Sequence, residues 1–276
     1  MRHLLAVGPL TWKTLGVSPG DWQDCEVHEA YGEGDALRRM RARAFDVIVT
    51  HPLTPADKDI LVVREARELQ PGIRPIVIAS ELTPEDIIAA LRADVYAAFT
   101  MPVVPAELNE AIAGALDAED WQNGIQVLSA QPEWIALRVM CRRLTADRLT
   151  HFVSQLAADV PEIDRFALVS AFREMLLNAM EHGAGFDPEK VVDVAAMRTA
   201  RAIVYYFKDP GPGFNPKAVR GVAKDDDPIS HLEEREAAGI RPGGFGLMIA
   251  TKLVDEVHYN EFGNEVILIK HLDPQA

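Results

Sequence analysis

The first 120 residues of this 276-residue chain alternate short apolar runs with segments of helical periodicity. This alternation predicts a parallel sheet with helices on both faces, because a strand that is apolar on both sides must be buried on both sides. Chemistry in such a doubly wound fold is expected at the carboxyl ends of the strands. The pattern predicts five strands, at 4–7, 25–28, 45–50, 76–79 and 96–100, and four helices, at 36–43, 60–69, 84–91 and 105–116.

An acidic, polar segment at 117–124 ends in a glycine and marks a domain boundary. We predict a first domain at 1–120, a linker at 121–132 and a second domain at 133–276. A chain of this length with 48% hydrophobic residues can build two cores. Residues 125–128 are a candidate strand, and 133–159 are predicted as one long helix that ends before Pro161, with a break near Thr145 as the alternative.

Charge and cysteine usage exclude several classes of protein. The net charge of −14 argues against binding to nucleic-acid phosphates. Cys25 and Cys141 lie far apart without a CxxC spacing, so we expect reduced thiols. No run approaches the roughly 18 apolar residues of a membrane span. The short apolar run after Met1 stops at Gly8 and is predicted as a strand rather than a signal peptide. We therefore expect a cytoplasmic protein that binds neither nucleic acid nor membrane.

In order and length, the elements of the first domain resemble the response-regulator receiver domain. The resemblance fails where that family has its reactive residues. Paired acids are replaced by a glycine–proline pair at Gly8, the phosphoacceptor aspartate by His51, and the lysine before a proline by Met101, while Ser80 matches the hydroxyl position. We interpret the domain as a pseudo-receiver, a docking or dimerisation module. His51 as a phosphoacceptor or metal ligand is the minor alternative, because no second ligand is evident near it.

The second half carries three motifs, of which the first lies on a predicted helix at 174–183. There Glu174 and Asn178 are one turn apart on the same face. A carboxylate beside a carboxamide suits a Mg²⁺ ion and a proton acceptor next to it. The alternative is the solvated face of an amphipathic helix.

The second motif runs from Asp209 to Phe214 and follows two predicted strands at 191–197 and 201–207. Its glycines, Gly211 and Gly213, let the backbone approach a ligand closely. Asp209 at the strand end can accept a hydrogen bond from an amino group such as that of adenine. Taken alone, the motif is equally compatible with a tight turn.

The third motif, at 243–247, is glycine-rich and precedes a predicted helix at 247–254, so free N–H groups and the helix dipole would face an anion. The long charged segment before it is predicted to be a lid or a disordered loop. That segment is acidic, and Lys224 and Arg241 are its candidate phosphate contacts, with solvated surface charges as the alternative. A predicted hairpin at 257–260 and 266–270 follows.

Together the three motifs resemble the N, G1 and G2 boxes of the histidine-kinase-like (GHKL) ATPases, and most closely the anti-sigma-factor serine kinases. The resemblance covers 174–249 and implies an α+β ATP-binding sandwich with a mixed or antiparallel sheet. It implies that Asn178 is the Mg²⁺ ligand, Glu174 the general base and Asp209 the residue that reads the adenine amino group. It further implies that the nucleotide and its phosphates are lined by Gly211, Gly213, Phe214, Gly243, Gly244, Gly246 and Leu247.

The implied function is that of an ATP- and Mg²⁺-dependent protein serine kinase in signal transduction. The implied partner is a sigma factor or an antagonist protein that carries the target serine; a homodimer is left open. One alternative is a nucleotide-gated binding module without catalysis, which the altered first domain favours. The other is a histidine-kinase relic. His151 precedes the ATPase motifs but lacks an acidic neighbour after it, so we predict a solvated or core-edge histidine.

Overall fold

The computed structural model describes residues 1–8, 12–118, 121, 123–215 and 250–272. Their contacts divide the chain into two compact units. The first is Met1–Asn123 together with His151–Ala158, and the second is Gly124–Thr150 together with Asp159–Ala276. The predicted fold class is confirmed in both halves: a parallel sheet with helices comes first, and an antiparallel sheet with helices follows.

The first unit is a doubly wound sheet with the strand order β2-β1-β3-β4-β5, in which all neighbouring strands are parallel. This is the flavodoxin-like order, which receiver domains share. Its strands are β1 Arg2–Val7, β2 Cys25–Ala30, β3 Val47–Val49, β4 Arg74–Ala79 and β5 Ala97–Thr100. Its helices are α1 Glu33–Ala42, α2 Ala56–Leu69, α3 Pro84–Arg92 and α4 Pro105–Asp117.

Both faces of this sheet are buried, as the apolar runs predict. On one face Leu4, Val49 and Ile78 share a core with Leu108 and Ile112 of α4. On the other face lies a second core, made by three strands and two helices: Leu5, Ala30, Ile48, Ala36, Met40, Val62 and Ala66. Successive strand residues therefore point into different cores, which explains why these strands carry no polar alternation.

The second unit is built on a six-stranded sheet, in the order β10-β11-β9-β8-β7-β6, with every neighbouring pair antiparallel. Its strands are β6 Ile125–Gln131, β7 Trp134–Met140, β8 Val191–Arg198, β9 Ala202–Lys208, β10 Glu256–Tyr259 and β11 Glu265–His271. Its helices are α5 Arg143–Leu156, whose last residues group with the first unit, and α6 Glu162–Asn178. Residues 250–253 are helical and belong to the predicted helix at 247–254.

The predicted long helix at 133–159 is wrong in its first part. Residues 134–140 form β7, and only 143–156 are α-helical. The reason is visible in the side chains: Ile135, Leu137 and Val139 are buried at a spacing of two, which is strand periodicity. The predicted linker at 121–132 is also wrong in part, because β6 occupies 125–131 and pairs with β7 as a hairpin.

Both cysteines are free, as expected. Burial raises the pKa of the Cys141 thiol to about 11, so this side chain is a small buried apolar group rather than a nucleophile. His151 is half-buried, and its Nε2 lies 2.6 Å from the carbonyl oxygen of Ala98 within the first unit. Among the described residues, no helix is long and apolar enough to cross a membrane.

Candidate functional site

Helix α6 carries Glu174 and Asn178 in its last turn and is held on the sheet by aromatic contacts. The ring of Phe172 lies 5.0 Å from that of Tyr205 and 5.1 Å from that of Phe207, both on β9. Three buried aromatic side chains in mutual contact fix the rotation of the helix about its axis. Because Phe172 faces the sheet, the position of Asn178 relative to the end of β9 is fixed as well.

The helix does not continue regularly through the predicted 174–183 segment. After Asn178 the chain forms a π turn at Ala179–Gly183, in which the Ala184 N–H donates to the carbonyl oxygen of Ala179 at 3.2 Å. Turns of this kind inside helices are rare and occur frequently at functional sites. Here the turn brings Gly183 against the loop that follows β9.

That contact joins the first two motifs directly. A Cβ atom at Gly183 would overlap the carboxyl group of Asp209, and one at Gly211 would come within 2.7 Å of the Gly183 carbonyl oxygen. The glycine that closes the Glu174–Gly183 segment is therefore needed because the aspartate of the second motif packs against its backbone. The two motifs are about 30 residues apart in sequence but adjacent in the fold.

The carboxylate of Asp209 is positioned by backbone groups. Its own N–H donates to the carbonyl oxygen of Asn264 at 3.0 Å, and its Oδ1 accepts the Gly211 N–H at 2.8 Å. Partial burial raises the pKa of Asp209 above its ordinary value, and the Gly211 hydrogen bond opposes that rise. No described residue donates to Oδ2, so this oxygen is available to an amino group of a ligand.

A cavity of about 350 Å³ opens beside these groups. Its volume lies within the range usual for small-molecule sites. Asn178, Asp209, Gly213 and Phe214 of the predicted site lie in its wall. The wall also contains residues that sequence reasoning did not assign to the site: Met175, Ala179, His182, Gly183, Phe207, Tyr259, Gly263, Asn264, Glu265 and Val266.

The additional residues give the cavity an apolar part. Met175 and Phe207 are buried parts of α6 and β9, and Val266 lies opposite Phe207 in the antiparallel register. Val266 could be assigned to the site only from the pairing of β11 with β9, which the sequence of a single strand does not reveal. Tyr259 packs its ring 5.4 Å from that of Phe214, at the end of the second motif.

Two predicted site residues lie near the cavity but not in its wall. Glu174 is one turn before Asn178 on α6 and is half-buried. Gly211 donates its backbone N–H to the Asp209 carboxylate. Four further predicted residues, Gly243, Gly244, Gly246 and Leu247, lie outside the described residues, as do Lys224 and Arg241 of the predicted lid.

The residues present fit an adenine nucleotide. Apolar side chains can cover a flat base, and the Asp209 carboxylate can accept a hydrogen bond from the exocyclic amino group of adenine. On the helix side of the cavity, Asn178 offers a carboxamide oxygen of the type that Mg²⁺ binds. The fold and the cavity thus define the class of the second unit: an α+β domain with a pocket suited to a nucleotide.

Comparison with known families identifies that domain. Residues 141–270 match the family model described as the histidine kinase-like ATPase domain. The C-terminal half of the chain therefore contains a domain of this family, which implies ATP binding, and it follows an N-terminal domain with the doubly wound strand order 2-1-3-4-5. No curated protein matches the chain.

Several solved structures are similar to the first unit. A response regulator receiver domain protein (CheY-like) from Methanospirillum hungatei JF-1 is 23% identical, with 42% of this chain and 94% of that chain covered and a TM-score of 0.37. A LuxR family DNA-binding response regulator from Silicibacter pomeroyi is 22% identical, with 43% and 94% covered and a TM-score of 0.37. A response regulator from Thermotoga maritima is 17% identical, with 42% and 98% covered and a TM-score of 0.37. The fold of the first unit is defined by its strand order, β2-β1-β3-β4-β5.

In the first unit, the positions of receiver chemistry hold other groups. His51 follows β3 and is buried, and its Nδ1 accepts the Leu53 N–H at 3.1 Å. Gly8 directly follows β1 and packs against His51: a Cβ atom at position 8 would lie 2.8 Å from the Cβ of His51. Ser80, after β4, is exposed. This packing leaves no side chain at position 8 that could hold a metal ion beside His51.

Proposed function

We propose that the second unit is an ATP- and Mg²⁺-dependent protein serine kinase of the anti-sigma-factor type, through which the chain regulates a protein partner. The observation that carries the proposal is the meeting of Asn178 and Asp209 in the wall of one cavity, with Glu174 one turn before Asn178. One side chain suits the base and one suits the metal ion. The third can act on an incoming hydroxyl group.

Phosphoryl transfer needs positioning and charge neutralisation more than covalent chemistry from the protein. Asp209 and the apolar wall would position the adenine, and Asn178 would hold Mg²⁺, which would neutralise charge on the phosphates. Glu174 accepts the proton of a serine hydroxyl or of water. The glycines at 243–246 complete the phosphate site on sequence grounds alone.

The proposed partner is a sigma factor, or an antagonist protein that carries the target serine, in the cytoplasm. Its support is the resemblance of the three motifs to the anti-sigma-factor kinases together with the family of the C-terminal domain. The altered receiver-type unit supplies the docking or dimerisation surface in this proposal.

The test uses the full chain, labelled ATP with Mg²⁺, and candidate sigma-factor and antagonist proteins from the same organism. Glu174→Gln keeps size and hydrogen bonding but removes the basic oxygen, so phosphoryl transfer should fall by about 10²–10⁴-fold. ATP affinity, measured by calorimetry, should stay within a few-fold. Asn178→Ala should instead weaken the binding of Mg²⁺-ATP. Glu162→Gln, an exposed position in the first turn of α6, is the matched control and should change neither quantity.

A nucleotide-gated binding module is the second candidate, because the reactive positions of the first unit are replaced. In that case ATP orders the partner-binding surface and is not consumed. The same assay separates the two functions. If the wild-type chain transfers no phosphoryl group to any candidate or to water, and Glu174→Gln binds ATP and partner as wild type does, the kinase proposal is wrong and the gated module stands.

A further inference from the structure

Three metal-ligating side chains converge at the β1–β2 edge of the first unit, away from the receiver positions. In the parallel register His3 lies opposite Glu26, and Leu5 lies opposite His28. Residues two apart on a strand share a face, so His3, Glu26 and His28 lie on one face of the sheet. We propose that these three residues form a binding site for a divalent transition-metal ion of the zinc class.

The distances between the ligand atoms support this proposal. His3 Nδ1 and His28 Nε2 are 3.4 Å apart, His3 Nδ1 is 3.4 Å from Glu26 Oε2, and His28 Nε2 is 3.5 Å from Glu26 Oε1. Zinc binds imidazole nitrogen and carboxylate oxygen at about 2.0–2.2 Å in a tetrahedron, which separates neighbouring ligand atoms by roughly 3.3–3.5 Å. The two imidazole nitrogens are thus spaced as neighbouring ligands of a tetrahedral site, and the Glu26 carboxylate, which meets them through different oxygens, offers the third ligand, with the fourth position open to water.

The two histidines are held in place by their surroundings rather than free in solvent. Their side chains are 24% and 15% exposed for His3 and His28, against 43% for Glu26. The ring of His28 packs edge-on against Phe45 at 5.3 Å. The backbone N–H of His3 donates to Asp46 at 2.7 Å, which fixes the start of β1. Ligands that are already positioned lose little conformational entropy when a metal ion binds.

Arg43, at the end of α1, is the group that competes with a metal ion. Its Nη1 lies 3.0 Å from His28 Nε2 and 3.7 Å from Glu26 Oε2. The guanidinium therefore uses the lone pair that a metal would bind, and it must move aside. It can do so because the Arg43 side chain is 47% exposed. Two nitrogen donors favour zinc-like ions over Mg²⁺ or Ca²⁺, which prefer oxygen.

The second unit offers a matched comparison. There Glu256 bridges His258 and His271 through its two oxygens, at 2.8 and 2.9 Å, as Glu26 bridges His3 and His28, but all three side chains are more than 40% exposed. Among the described residues, the group whose ligand atoms all lie within 4.8 Å of one another is His3, Glu26 and His28. The same residue types at 256, 258 and 271 therefore serve as the control.

The experiment titrates the full chain, freed of metal by a chelator and without nucleotide, with Zn²⁺ against a chromophoric competitor. Wild type should bind one equivalent that His28→Gln and Glu26→Gln weaken by about tenfold or more, since even loss of an outer-shell partner costs about 10–100-fold. His258→Gln should bind as wild type does. Co²⁺ in place of Zn²⁺ should give the visible absorption of a tetrahedral site, lost in the same variants. Circular dichroism and thermal melts verify that each variant is folded.

Arg43→Gln separates a metal site from a salt-bridged polar cluster. If the triad binds metal, removal of the competing guanidinium should tighten Zn²⁺ binding. If the triad is only a polar cluster capped by arginine, the change should leave Zn²⁺ binding unaltered. Equal Zn²⁺ affinity in wild type and His28→Gln, or unaltered or weaker binding in a folded Arg43→Gln, would overturn the proposal.

Discussion

Asp209 provides the sharpest test of the nucleotide site, because the surroundings of its two carboxylate oxygens differ. Oδ1 accepts the Gly211 N–H at 2.8 Å, and Oδ2 has no donor among the described residues. Binding of adenine through its amino group thus requires two acceptors on one side chain. Asp209→Asn keeps size and shape but provides one acceptor and one donor. In one orientation the amide NH₂ group of the variant would face the Gly211 N–H, and in the other it would face the amino group of adenine. Either way, two donors meet.

The size of the effect follows from the loss of one charge-assisted hydrogen bond in a partly dry pocket. Such bonds contribute about 1.5–3 kcal/mol, which corresponds to a loss of about ten- to a hundredfold in ATP affinity. Guanine presents an acceptor, O6, where adenine presents its amino group. The amide donor should therefore suit GTP better than the carboxylate does. We expect ATP affinity to fall and GTP affinity to rise in Asp209→Asn, so that the ratio of the two affinities falls by more than ATP affinity does.

Stability distinguishes this loss from misfolding. The pKa of Asp209 in the folded chain is raised by burial. The stability contributed by a group with a raised pKa is present below its unfolded pKa and is lost as the pH rises through the folded pKa. At neutral pH the charged carboxylate therefore opposes folding. Asp209→Asn should keep or raise the melting temperature of the nucleotide-free chain while it weakens ATP binding.

The assay is calorimetric titration of the full chain with ATP and with GTP at neutral pH, accompanied by thermal melts. Asp164→Asn is the control. Asp164 lies in the first turn of α6, its side chain is 40% exposed and pairs with Lys270, and it does not line the cavity. Unchanged ATP affinity in Asp209→Asn, with the control also unchanged, would show that the loop after β9 is only a turn. Equal losses for ATP and GTP would show that Asp209 does not read the base.

Two further predictions concern the first unit. Asp59 is buried with one oxygen unpaired among the described residues, and burial raises its pKa from 3.8 to about 7 despite a hydrogen bond from Thr50. Stability should therefore fall as the pH rises toward 7, and Asp59→Asn should recover a few kcal/mol, at most about 4, at pH 8 in denaturant unfolding, whereas Glu65→Gln on the exposed side of α2 should not. The full chain incubated with acetyl phosphate and Mg²⁺ should show no phosphoryl group on residues 1–120 by mass spectrometry; a stable, Mg²⁺-dependent adduct there would contradict the pseudo-receiver interpretation.

The elements of the first unit were predictable because hydrophobic burial alone specifies them. Each predicted strand and helix of residues 1–120 overlaps an observed one, since the strands other than the edge strand β2 are mostly apolar on both faces and every helix carries an apolar stripe. The segment at 133–140 misled the prediction for the same reason. Its buried residues, Ile135, Leu137 and Val139, are followed by Cys141 and further apolar residues of α5, so two periodicities overlap along the chain.

Contacts set by register could not be predicted. The approach of Gly183 to Asp209 depends on a π turn, whose extra residue leaves no periodic signal in the sequence. The meeting of Val266 with Phe207 depends on how β11 pairs with β9. A shift of one residue would place the opposite face of the strand in the cavity. The motifs of the second unit thus predicted candidate side chains for the site, and the sheet pairing determined which residues surround them.

In both units the fold and the side chains at the candidate site are specified by different residues. In the first, the 2-1-3-4-5 strand order is kept although Gly8, His51 and Met101 occupy the positions where a receiver has reactive side chains. In the second, the side chains suited to base and metal, Asp209 and Asn178, meet in one cavity. A scaffold depends on many buried residues and tolerates changes at a few loop positions, whereas a site depends on those positions alone. The proposed phosphoryl transfer therefore concerns the second unit, and the function that we propose for the first unit is binding.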